Sequence, residues 1–116
     1  MKKILIVEDD HLQAFVQRKF LEKNGHTLCI ANSGTEAIEH AKNEHFDLVI
    51  MDMRIKGELD GIDTMLEIQK FSKAPVIYST GNSENSIRER ATKTNVKTFL
   101  IKPINLDELE KLINEI

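Results

Sequence analysis

The chain has 116 residues, 41% hydrophobic and 30% charged, the balance of a globular domain with one core rather than a disordered or membrane protein. A formal charge of −3 supplies no basic face for nucleic acid, and no apolar run reaches the length of a membrane span. The opening "MKKILIVEDD" lacks a signal peptide's long apolar stretch and cleavage site, and a single cysteine excludes an internal disulfide.

The expectation is therefore one cytoplasmic domain over 1–116, with Cys29, inside the apolar "TLCIA", as a buried inert thiol. Paired zinc-ligand spacings are absent; His40 and Glu44, four apart, read as a solvated surface pair on a helix.

In chain order, "KILIVE" (3–8) reads as a strand, and "HLQAFVQRKFLEKNG" as a helix ending at Gly25. Leu12, Phe15, Val16 and Phe20 fall on one face of that helix, which places Phe15 in the core. "TLCIA" (27–31) is a second strand, and "SGTEAIEHAKNEH" a helix opened by Ser33 and Glu36 at capping-box spacing. "FDLVIMD" (46–52) is a third strand. "GIDTMLEIQKF" follows as a helix directing Ile62, Met65 and Leu66 inwards. "PVIYST" (75–80) and "KTFLI" (97–101) are further strands, separated by the polar helix candidate "ENSIRERATKT". "NLDELEKLINEI" closes the sequence as a helix capped by Asn105.

Strand and helix alternate five times, and several strands are nearly continuous in Ile, Leu and Val. Both features predict an α/β domain: a doubly wound, five-stranded parallel sheet with helices on both faces. Ligands of such sheets gather beyond the carboxyl ends of the strands. Glu8, Asp9 and Asp10 follow the first strand, Asp52 closes the third, Thr80 closes the fourth and Lys102 follows the fifth.

The rim thus combines carboxylates, a hydroxyl and an ammonium. Two unit charges about 4 Å apart repel by roughly 4 kcal/mol at an effective dielectric near 20. Gathering Glu8, Asp9 and Asp52 therefore raises a carboxyl pKa or demands a cation. Lys102 offsets one charge; a hard divalent ion such as Mg²⁺ suits several carboxylate oxygens better. A carboxylate can also accept a phosphoryl group as an acyl phosphate, and Asp52, ending a central strand, is the candidate nucleophile. Each residue alone has a plainer reading: Asp9 or Asp10 as a helix cap, Asp52 as a loop cap, Thr80 as a strand residue, Lys102 as a solvated tip.

Taken together, "ILIVEDD", "DLVIMDMRI", "VIYSTG" and "FLIKP" resemble the receiver domains of two-component response regulators across the whole chain. The resemblance implies a flavodoxin-like sheet in the order 2-1-3-4-5. It implies Asp52 as phosphoacceptor, with Mg²⁺ (or Mn²⁺) held by Glu8, Asp9, Asp52 and the backbone carbonyl of Arg54. It further implies Lys102 and Thr80 as phosphoryl contacts, Gly81 as a small residue leaving room for the group, Thr80 and Phe99 as switch residues, and a cis Lys102–Pro103 bond.

The implied role is a phosphorylation-activated switch that catalyses only its own phosphorylation and dephosphorylation. Its donor would be a sensor histidine kinase or histidine phosphotransfer protein, docking near Asp10, Leu12, Gln13 and Phe15. Its output would be a downstream protein meeting the face built by the fourth helix, fifth strand and fifth helix, without direct nucleic-acid or membrane binding. The domain would act alone or as one piece of a longer regulator or hybrid kinase.

Three departures stand out. The loop "MRIKGELDG" carries a Gly57-Glu58 insertion, Arg54 places a bulky cation two residues after Asp52, and Phe99 stands where many members have tyrosine. Two other classes share parts of the pattern. A flavin mononucleotide carrier needs a phosphate-cradling loop where "EDDHLQ" repels one. An aspartyl-phosphate phosphatase needs a second aspartate where Arg54 stands. A degenerate receiver serving as a protein-interaction scaffold is the remaining alternative.

Overall fold

A computed structural model describes residues 1–81 and 85–116, and the side chains of all of these except 85–87. Five strands, β1 (Lys3–Val7), β2 (Thr27–Ala31), β3 (Leu48–Asp52), β4 (Val76–Thr80) and β5 (Val96–Ile101), pair in parallel in the order β2-β1-β3-β4-β5. The helices are α1 (His11–Lys23), α2 (Gly34–Asn43), α3 (Gly61–Ile68), α4 (Asn85–Ala91) and α5 (Leu106–Asn114). The start of the predicted fourth helix, Glu84, lies outside the described residues.

Every residue of β3 and β4 is buried, which is why their sequences run apolar without alternation. Side chains still alternate between two cores. Leu5, Val7, Val49, Met51 and Tyr78 pack with Ala37 and Ala41 of α2, Ile62, Met65 and Ile68 of α3, and Ala91 of α4. Ile4, Ile6, Leu48, Ile50 and Ile77 pack with Leu21 of α1 and with Leu109 and Ile113 of α5. The sheet is therefore covered on both sides, as the strand–helix alternation predicts.

Helix starts follow local chemistry. Asp10 caps α1, accepting from the N–H groups of Leu12 and Gln13. Ser33 accepts from Glu36 N, while the Glu36 carboxylate accepts from Asn32 N at 2.7 Å, one residue before the cap. Asp60 and Asp63 form a reciprocal capping box on α3, and Asn105 caps α5 through Glu108 N. At the far end of the molecule, buried His26 accepts from Lys2 N on Nδ1, and its Nε2 meets Glu110 at 2.9 Å.

Three expectations are corrected. The buried face of α1 is Ala14, Gln17 and Leu21, whereas Leu12, Phe15 and Val16 are 70%, 55% and 44% exposed. Periodicity measures apolar bulk, but close approach to the sheet selects the small Ala14 instead. The third helix ends at Ile68, leaving Phe71 on the surface under the Lys42 ammonium. Cys29 is half-buried on edge strand β2, with Sγ 3.4 Å from His40 Nδ1, and so is not sealed in the core.

The register aligns Val7 with Met51, Asp52 with Ser79 and Thr80 with Ile101. The residues at or just beyond these strand ends accordingly share one rim.

Candidate functional site

Strand β1 delivers Glu8 and Asp9 to the rim, and β3 delivers Asp52. Carboxylate oxygens of the three lie within 4.8 Å of one another. Glu8 and Asp52 are buried, and Asp9 is half-buried. Lys102, just past β5, places its Nζ 3.1 Å from Asp52 Oδ2 and 3.5 Å from Glu8 Oε1. Its own backbone N–H donates to the Thr80 carbonyl at 2.8 Å, which locks the lysine to the end of β4. The next peptide bond, Lys102–Pro103, is cis, as the resemblance implies.

Backbone donors orient the acids. Arg54 N donates to Asp52 Oδ1 at 3.0 Å, Asp10 N to Glu8 Oε2 at 3.3 Å and Lys56 N to Asp9 Oδ2 at 2.9 Å. The Lys56 bond spans from the loop after β3 to the loop after β1. It precedes Gly57, whose φ of 119° lies where L side chains are strained. Gly57 thus supplies the turn with a conformation other residues avoid. The exposed Arg54 lies beside the acids through its peptide, with its N–H on the acceptor oxygen.

Burial pushes the Glu8 carboxyl up to about 7, and the adjacent Asp52 carboxylate adds to the rise; Asp10 N–H and Lys102 oppose it. Burial alone would lower the Lys102 ammonium, but its contacts with Asp52 and Glu8 outweigh this and raise it. Among the described residues, one lysine contacts this group of three carboxyl side chains, which leaves net negative charge. The donors are hard oxygens from two strand ends, a set that fits Mg²⁺ or Mn²⁺ and includes no soft ligand among the described residues.

The hydroxyl-bearing Thr80 is buried at the end of β4, and a Cβ built on Gly81 would meet nothing within 4 Å. Phe99 stacks on Tyr78 with centroids 5.7 Å apart, and the Arg88 guanidinium lies 4.8 Å from the Phe99 centroid. The Tyr78 hydroxyl sits 2.8 Å from Thr94 Oγ1, which donates to Ala91 O, so the tyrosine is the donor in that pair.

Glu8, Asp9, Asp52 and Lys102 therefore meet, with the Arg54 N–H on Asp52 and the Thr80 carbonyl on the Lys102 N–H, while Phe99 packs on Tyr78. Asp10 is the N-cap of α1, matching its plainer reading. Sequence reasoning missed Gly61. A Cβ there would overlap the Asp52 carbonyl oxygen and lie 2.8 Å from Met53 Cα. The signal was the Asp60–Gly61 pair, where a cap is followed at once by a residue without a side chain.

The family model for the response regulator receiver domain matches residues 4–114. The chain belongs to the response regulator receiver family. Among curated relatives, the receiver is 35% identical over 113 residues to the Escherichia coli transcriptional regulatory protein ZraR. The match covers 97% of this chain and 25% of ZraR. The chain thus spans about a quarter of that relative's length.

Among solved structures, the receiver superimposes with a TM-score of 0.90 on the N-terminal domain of a three-domain response regulator/sensory box/GGDEF protein from Carboxydothermus hydrogenoformans. That pair is 32% identical, covering 98% of this chain and 92% of the other. The receiver domain of the Pseudomonas aeruginosa sensor histidine kinase PA1611, described with a magnesium ion coordinated in its active-site cleft, gives a TM-score of 0.86 at 26% identity. Coverage there is 98% and 95%. Both similarities span the rim and the sheet together.

Proposed function

We propose that this receiver is a phosphorylation-driven switch that takes a phosphoryl group onto Asp52 from a sensor histidine kinase or histidine phosphotransfer protein. The observation carrying this reading is the meeting of Glu8, Asp9 and Asp52 within 4.8 Å, with Lys102 Nζ 3.1 Å from Asp52. Glu8, Asp9, Asp52 and the Arg54 carbonyl would hold Mg²⁺, which when bound supplies neutralising charge to the phosphoryl oxygens.

The chain's own groups do the rest. Arg54 N–H fixes Oδ1 of Asp52, orienting the carboxylate for in-line attack. An Asp52 oxygen bonds to phosphorus as the donor's phosphorus–nitrogen bond breaks, and the departing imidazole keeps the electron pair and takes up a proton. Lys102 moves from the carboxylate to a phosphoryl oxygen, and the Thr80 hydroxyl donates to another. The receiver catalyses this reaction and its hydrolysis on itself alone.

Donor docking is assigned to the α1 rim. Leu12, Gln13, Val16, Gln17, Pro103 and Ile104 border a groove of about 250 Å³ there, and the exposed Phe15 lies alongside. Output is assigned to the α4–β5–α5 face, where Thr80 and Phe99 shift together and change the preference for a protein partner. A cytoplasmic location suits such partners. Among the described residues no helix is long and apolar enough to cross a membrane.

The test is incubation with Mg²⁺ and acetyl phosphate, followed by intact-mass analysis. One acid-stable, base-labile phosphoryl group is expected, and none on Asp52→Ala. No adduct on the wild-type protein would favour an interaction scaffold, and steady turnover of a phosphomonoester would favour a phosphatase.

A further inference from the structure

Away from the rim, three ligand-type side chains converge at the edge of the sheet: Cys29 of β2, His40 of α2 and Glu44, the C-cap of α2. We propose that they form a second metal site, selective for a thiophilic divalent ion of the Zn²⁺ class.

The geometry carries the assignment. A tetrahedral zinc ion with bonds of about 2.3 Å to sulfur and about 2.1 Å to nitrogen and oxygen separates sulfur from nitrogen by roughly 3.5 Å, and nitrogen from oxygen by roughly 3.4 Å. Cys29 Sγ lies 3.4 Å from His40 Nδ1, and that nitrogen lies 3.5 Å from Glu44 Oε2. Two edges of the coordination tetrahedron are already formed. The three ligand atoms all lie within 4.8 Å of one another.

Hydrogen bonding cannot satisfy the cluster equally well. A neutral Nδ1 has either one proton or one lone pair, yet both a thiol and a carboxylate oxygen face it. A shared cation satisfies all three atoms. The surroundings are suitable as well. Lys3 Nζ binds the other carboxylate oxygen, Oε1, at 2.7 Å, steering Oε2 towards the imidazole, as outer partners do around zinc. Lys3 adds one positive charge, but a thiolate and a carboxylate balance a divalent ion. The His40 and Glu44 side chains are 36% and 37% exposed, so an ion can enter and the fourth position is left for water or a partner's ligand.

This site differs in chemistry from the rim, where the described ligand candidates are carboxylate oxygens. It also lies apart from it: Lys3 opens β1, whereas Asp52 closes β3. Occupancy would clamp α2 to the edge strand. As the metal–sulfur bond forms, the thiol proton passes to buffer, one per ion bound.

The test uses the folded protein saturated with Mg²⁺, titrated with Zn²⁺ or with Co²⁺ as its spectroscopic substitute. One equivalent should bind, release a proton, raise the melting temperature and shield Cys29 from alkylation. Co²⁺ should give a near-ultraviolet thiolate charge-transfer band. Cys29→Ser should abolish the band, and His40→Gln or Glu44→Gln should weaken Zn²⁺ binding at least about tenfold. Absence of the band from folded wild-type protein would overturn the proposal. So would Zn²⁺ binding that survives Cys29→Ser but disappears in Asp52→Asn, which would put the ion at the acidic rim.

Discussion

Replacing Gly61 with alanine sets two physical effects against each other. Gly61 is the first residue of α3, and in a helix alanine is favoured over glycine by roughly 0.5–1 kcal/mol. On propensity alone the variant should be more stable. Sterically, the new Cβ would overlap the Asp52 carbonyl oxygen and sit 2.8 Å from Met53 Cα and 3.0 Å from Met51 Cγ. Two of these three neighbours are backbone atoms, and all belong to residues that are 6% exposed or less.

Overpacking of this kind costs about 1–3 kcal/mol, and rigid backbone neighbours argue for the upper end. The net expectation is a loss of about 2 kcal/mol, or roughly 8 °C in melting temperature for a chain of this size. Relief would require α3 to lift, breaking the 3.0 Å bond from Gly61 N to Met53 O and shifting the peptide next to Asp52. Phosphoryl uptake from acetyl phosphate should therefore slow as well. Urea and thermal unfolding measure the first effect, and adduct formation over time the second. Gly61→Ala with wild-type or greater stability would refute the steric argument.

Other outcomes follow from the rim. Lys102→Ala removes the cation competing with a bound ion, so Mg²⁺ affinity should rise while phosphoryl uptake falls by about 100-fold, measured by calorimetry and mass spectrometry. Because Glu8 titrates at about 7 in the fold, against 4.5 ordinarily, the folded state binds the extra proton. Without metal, its contribution to stability is full below about 4.5 and is lost as pH rises through about 7. Mg²⁺ affinity should rise over the same upper range, and Glu8→Gln should flatten both slopes in pH-dependent denaturation and titration. Arg54→Ala should change the half-life of phosphorylated Asp52; an unaltered half-life would remove the arginine from that step.

The fold was legible because its signal is redundant. Continuous Ile, Leu and Val in the strands, together with capping residues before most helices, identify the same elements independently. The rim was legible because parallel strands bring their carboxyl ends together, so Glu8, Asp9, Asp52, Thr80 and Lys102 needed no knowledge of the loops between them. Features depending on separation rather than order were not legible. The α1 spacing could not reveal that Ala14 and not Phe15 faces the sheet. Nothing local links Cys29 to His40, since their contact depends on how α2 lies across the edge strand. Gly61 illustrates the same limit, because its constraint comes from the strand beneath it.

The two stacked rings behind the rim are not equivalent. Tyr78 is wholly enclosed and tethered through its hydroxyl to Thr94, whereas Phe99 has no such tether and lies on an edge strand with part of its surface open. Of the two rings, Tyr78 is therefore the one held on all sides and Phe99 the one with room at its edge. On the proposed switch reading, Phe99 rather than Tyr78 is the ring expected to move when Asp52 is phosphorylated.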